Sequence, residues 1–73
     1  MSVQQRLTRF GTVTEFDEPM GLGVVTDEAG VEHPFHCTAI ADGSRDIAVG
    51  TPVSFRLAPA RGGRHEAVDL QPR

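Results

Sequence analysis

The run His33-Pro34-Phe35-His36-Cys37 packs two imidazoles and the only thiol of the chain into five residues, and His65 is the one further imidazole. Such a cluster invites two chemistries, a zinc site and a cysteine nucleophile. Structural zinc needs four convergent ligands. On a strand, His33 and His36 point to opposite faces, so they cannot converge. Cys37 diverges from His36 for the same reason, and no third group stands ready to orient the histidine for nucleophilic work. The chain therefore reads as a non-enzyme, with no metal and no cofactor expected.

Composition narrows the remaining classes. A chain of 73 residues and 7.9 kDa allows one small domain, because a chain of this size buries only about 60% of the surface it exposes when unfolded. The formal net charge is −3, all seven basic residues are arginine, and Lys, Trp and Tyr are absent. That balance argues against gripping nucleic acid by bulk positive charge, since phosphate neutralisation supplies most non-specific affinity. A single cysteine excludes an internal disulfide and points to a reducing compartment. The first residues lack the apolar core of a signal peptide, and no stretch approaches the roughly 20 apolar residues that span a bilayer. A cytoplasmic protein is expected.

Period-2 alternation recurs in short runs punctuated by Gly, Pro and Asp, and no helical stripe lasts more than two turns, so the pattern predicts an all-β chain. Strands are expected over residues 9–16, Leu22–Asp27 and 31–37, the last interrupted by Pro34 as suits an edge or a bulge. The segment Thr38-Ala39-Ile40-Ala41 suits one short helical turn. A fourth strand follows Gly50-Thr51-Pro52, with Val53, Phe55 and Leu57 on one face. A loop rich in small and basic residues, 58–64, precedes a fifth strand at 67–70, in which Val68 and Leu70 alternate with Ala67 and Asp69. Five short strands fit a small barrel or two packed sheets, because a flat sheet of this size cannot cover its own apolar face. Residues 1–8 carry no pattern and are expected to form a frayed extension to a single domain over 9–73.

Gly11-Thr12-Val13, Phe16-Asp17, Gly21-x-Gly23-x-Val25, His36-x-x-Ala39-Ile40, and Gly50 with Val53 and Phe55 follow one another in a familiar order and spacing. Together they resemble a bacterial cold-shock domain over roughly residues 10–71. The resemblance implies a five-stranded OB-fold barrel that binds single-stranded RNA or DNA across its second and third strands on stacked aromatic rings. Met20-Gly21-Leu22-Gly23-Val24-Val25 is similar to the first nucleic-acid-binding signature of that family, with aliphatic Leu22 and Val24 where rings are usual. His33-Pro34-Phe35-His36-Cys37 is similar to the second, with Pro34 and Cys37 at ring positions and Phe35 inward. Glu15 stands where an indole would stack, and Ser44 follows Gly43 where an aromatic is common.

The resemblance thus implies Phe16 and His36 as the remaining stacking pair, with Arg45, Arg56, Arg61 and Arg64 as phosphate contacts, since arginine both stacks on bases and pairs with phosphate. On that reading the chain is a small regulator that binds single-stranded nucleic acid weakly. A second reading stays open beside it. Met20, Leu22, Val24, Pro34 and Cys37 would form an aliphatic patch edged by Glu15, Asp17 and Glu18. Such patches with polar rims mark protein partners, and here the partner would belong to the transcription or translation machinery.

Overall fold

The structure, a computed structural model, describes residues 8–73, the side chain of Arg61 excepted. The expected N-terminal extension therefore lies outside the described residues, apart from Thr8. The chain forms β1 (Arg9–Asp17), β2 (Leu22–Asp27), β3 (Glu32–His36), β4 (Pro52–Pro59) and β5 (His65–Pro72). All pairings are antiparallel, in the order β3-β2-β1-β4-β5. No helix among the described residues is long and apolar enough to cross a membrane.

Turn chemistry sets the limits of β2, which match those expected. Gly21, at φ +68°, donates its N–H to the Asp17 carbonyl at 2.8 Å and closes the entry turn. At the other end one oxygen of Asp27, Oδ1, accepts the N–H groups of Ala29 and Val31, both at 2.9 Å. An Asp that bonds its own following backbone is a strong turn former.

The third strand is shorter than expected. It stops at His36, and Cys37 opens a 3-10 turn over Cys37–Ala39, one residue ahead of the turn read from sequence. Pro34 lies within β3 without breaking the ladder. The bonds from Cys37 N–H to Gly21 O and from Asp27 N–H to Val31 O fix which pairs exchange hydrogen bonds. By alternation Gly23/Phe35 and Val25/His33 are the bonded pairs, so the Pro34 nitrogen faces away from β2.

Two bulges set the inward faces. In β1 the register passes from Val13↔Val25 to Glu15↔Val24, leaving Thr14 as the extra residue. In β5 the register shifts opposite Phe55, and Asp69 takes φ +56°. Both bulges change the phase of the alternation. The fifth strand consequently buries Ala67 and Leu70, not the expected Val68 and Leu70, and it runs longer than expected at both ends.

The core comprises Val13, Val25, Phe35, Ile40, Val53, Phe55, Ala67 and Leu70, each no more than 3% exposed. Leu57 packs against it half-buried. Beyond the ladder, Ile40 meets Leu70 in a parallel bridge, and Ala41 N–H donates to Leu70 O at 2.8 Å. The segment after β3 is thus tied to the strand at the opposite end of the sheet order.

Candidate functional site

Strand alternation places Leu22 and Val24 of β2 on the outer face of the sheet, with Pro34 and His36 of β3 on one side and Glu15 and Asp17 of β1 on the other. Cross-strand register joins them into two rows, Asp17–Leu22–His36 and Glu15–Val24–Pro34. Leu22 is 46% exposed, and Met20 in the preceding turn is 63% exposed. Glu32, opposite Thr26, extends the same face.

Phe16 does not share this face. The Thr14 bulge turns it inward, opposite Gly23 and in the same row as Phe35. Its ring stacks on Phe35 with centroids 6.0 Å apart and planes 13° apart. Gly23 makes that row possible, since a Cβ there would lie 2.5 Å from the Phe35 ring and 2.8 Å from the Glu15 carbonyl oxygen. Phe16 and His36, paired in the sequence reading, are therefore separated by the sheet. Cys37 also departs from the expected outer patch, because it follows an outward residue and packs half-buried against the core.

His36 is exposed and held by its neighbour. Its Nδ1 accepts the Thr38 N–H at 3.3 Å and lies 3.0 Å from Thr38 Oγ1. In the neutral ring the proton then resides on Nε2. Nε2 looks toward Gly21, where a Cβ would lie 4.0 Å away. Gly21 in turn lines an open cleft of about 690 Å³ with Glu18, Met20, Thr38, Ser44 and Arg45.

The loop that brings Arg45 to this cleft is organised by Asp42. Its Oδ1 accepts the Ser44 N–H at 2.9 Å. That bond holds the Asp42 carboxyl below its ordinary pKa, and Gly43 completes the turn at φ +81°.

The other expected arginines lie elsewhere. Arg56 sits on β4, beyond β1 from the candidate face, with Nε 3.4 Å from Asp69 Oδ2. Arg64 is exposed at the β4–β5 connection, and the Arg61 side chain lies outside the described residues. Of the residues expected to meet nucleic acid, Arg45 lines the cleft and His36 lies next to its Gly21 wall.

Three contributors went unread in the sequence. Thr38 orients His36, and a hydroxyl residue two positions after a strand-terminal His was the available signal. Glu32 joins the outer face by simple parity with Pro34 and His36. Asp27 holds His33, with Oδ2 2.9 Å from Nε2, and both side chains are nearly buried. His33 also packs on Phe55, with ring centroids 5.7 Å apart. It is thus a core histidine with a carboxylate partner. Among the described residues no group of three or more His, Cys, Asp or Glu side chains gathers as a metal site.

The chain matches no family model and no curated protein.

Proposed function

We propose that the chain is a small cytoplasmic cold-shock-like OB-fold domain that binds single-stranded RNA or DNA weakly at the cleft beside His36 and Arg45. The OB-fold reading is supported by the strand order, by the two bulges, and by the Ile40–Leu70 bridge that draws the ends of the ladder toward each other. Bulges and strand coiling are the devices by which short sheets close.

One observation carries the functional reading: Arg45 lines the same open cleft as Gly21 and Thr38, and His36, bonded to Thr38, turns its Nε2 toward that Gly21. Nε2–H of His36 and the Arg45 guanidinium are both donors, so they suit phosphate oxygens and base carbonyls. Met20 adds an apolar, polarizable surface against which a base can rest. Glu18 in the cleft and Glu15, Asp17 and Glu32 on the adjoining face repel phosphates, which keeps the binding weak and confines it to a short footprint.

Stacking of one or two bases contributes roughly 1–3 kcal/mol each, which together with a phosphate contact gives a dissociation constant on the order of 10–100 μM. Fluorescence anisotropy with labelled oligo(dT) and oligo(rU) at low salt tests this. Saturable binding that weakens with added salt supports the reading. Dissociation constants weaker than about 100 μM, equivalent to about −5.5 kcal/mol, would overturn it.

A further inference from the structure

Leu22 and Val24 stand exposed or half-exposed in the middle of a sheet face whose β1 flank carries two carboxylates and whose β3 flank carries His36, Pro34 and Glu32. Glu15 and Asp17 lie across the β1–β2 pairing, Glu32 lies on β3, and no arginine of the described residues belongs to this face. The ion pairs among the described residues are Asp27–His33 and Arg56–Asp69, so none of the flanking carboxylates has a cationic partner there. Between the rows, a shallow hollow of about 260 Å³ lies over Gly23, bounded by Leu22 and Val24 on one strand and Glu15 and Asp17 on the other.

We infer that this outer face docks a basic segment of a partner protein, with an arginine or lysine side chain lying in the hollow over Gly23. The chemistry of the hollow selects such a side chain. The methylene stem of a long basic residue covers aliphatic surface while its charged head stays at the rim, where two carboxylates wait. An acidic partner segment meets the same carboxylates as like charges, and so does a phosphate backbone. A purely apolar segment leaves their field uncompensated. The occupant is therefore cationic and apolar in alternation, the pattern an extended chain presents to a sheet. The hollow shares no lining residue with the cleft at Arg45, though His36 stands opposite Leu22 on this face, and it does not depend on nucleic-acid binding in that cleft.

The test is a titration of ¹⁵N-labelled full-length protein with short capped peptides, followed by amide chemical shifts. One peptide alternates arginine with leucine, a second alternates glutamate with leucine, and oligo(rU) forms the third arm. The arginine peptide is expected to give saturable shifts at Glu15, Leu22 and Val24 that weaken as salt is added. In Glu15→Lys/Asp17→Lys its affinity is expected to fall by about tenfold or more, as for loss of close charge pairs. Leu22→Ser, at an exposed position, gives a second variant that keeps the fold while removing the aliphatic wall. No saturable shift, an equal response to the glutamate peptide, unchanged affinity in both variants, or oligo(rU) alone moving the Leu22 and Val24 resonances would each overturn the proposal.

Discussion

Asp27 and His33 face each other across the β2–β3 hairpin at 2.9 Å, Oδ2 to Nε2, with the other Asp27 oxygen bonded to the turn backbone. The His33 hydrogen bond, followed by that from Val31 N–H, holds the Asp27 carboxyl below its ordinary value of 3.8. A carboxyl depressed in the folded state stabilises the fold above its unfolded pKa, and that contribution is lost as pH falls through the lower folded value. Thermal melts are therefore expected to hold level from neutral pH down to the ordinary carboxylate range and to drop below it. In Asp27→Asn the drop should be shallower, and parallel curves for the two proteins would refute the assignment.

Gly23→Ala should destabilise the domain by about 1–3 kcal/mol, the usual cost of overpacking. The added methyl has no free direction, with the Phe35 ring at 2.5 Å and the Glu15 carbonyl at 2.8 Å. Urea denaturation measures it. A change under about 0.5 kcal/mol, the range of ordinary surface substitutions, would show that the Phe16–Gly23–Phe35 row is looser than described.

Asp69 tests the bulge in β5. Its φ of +56° suits Asp better than most side chains, and its pairing with Arg56 is between half-exposed groups at 3.4 Å. Exposed pairs contribute about 0–1 kcal/mol, so Asp69→Gly should leave stability within about 1 kcal/mol of the parent. Asp69→Val places a β-branched residue in left-handed backbone and should cost clearly more, since such residues are true outliers there. Equal stabilities for the two variants would argue against the bulge.

For nucleic acid, His36→Ala and Arg45→Ala should each weaken oligo(rU) binding by about fivefold to tenfold, roughly 1 kcal/mol. Arg45→Ala should also flatten the salt dependence by about one unit of slope. Arg56→Ala, on the far side of β1, should leave affinity within about twofold, a difference too small to represent a lost contact. If Arg56→Ala proves as damaging as Arg45→Ala, the cleft is not the binding site.

Much of this architecture was legible because it is local. The limits of β2 follow from Gly21 and Asp27, the burial of Val53 and Phe55 follows from period-2 alternation, and the inward place of Phe35 was implied by the resemblance. The bulges were not legible. An extra residue at Thr14 or Asp69 depends on how a neighbouring strand pairs, and a strict alternation carries no mark of it. That single cause accounts for the misplaced Phe16 and for Val68 standing where Ala67 belongs. The Asp27–His33 contact was within reach, since a hairpin closed by Asp27 and Val31 sets residues 27 and 33 diagonally on the inner face. The placing of Arg45 beside Gly21 and Thr38, by contrast, arises from a loop closed by Asp42, whose reach alternation does not record.

The pairing of β1 with β4 joins Arg9 to Phe55 and Thr12 to Pro52. Roughly forty residues of chain must be looped out before the first of these contacts forms, and such closure is an entropic cost met early in folding. The β1–β2–β3 meander, built from near neighbours, needs no comparable search. Arrival of β4 on the edge of β1 is therefore expected to set the pace of folding, in the millisecond-to-second range of β-rich domains. Stopped-flow refolding should show substitutions at Val53, which pairs with Gly11, slowing the folding limb, while those at exposed Leu22 leave it unchanged.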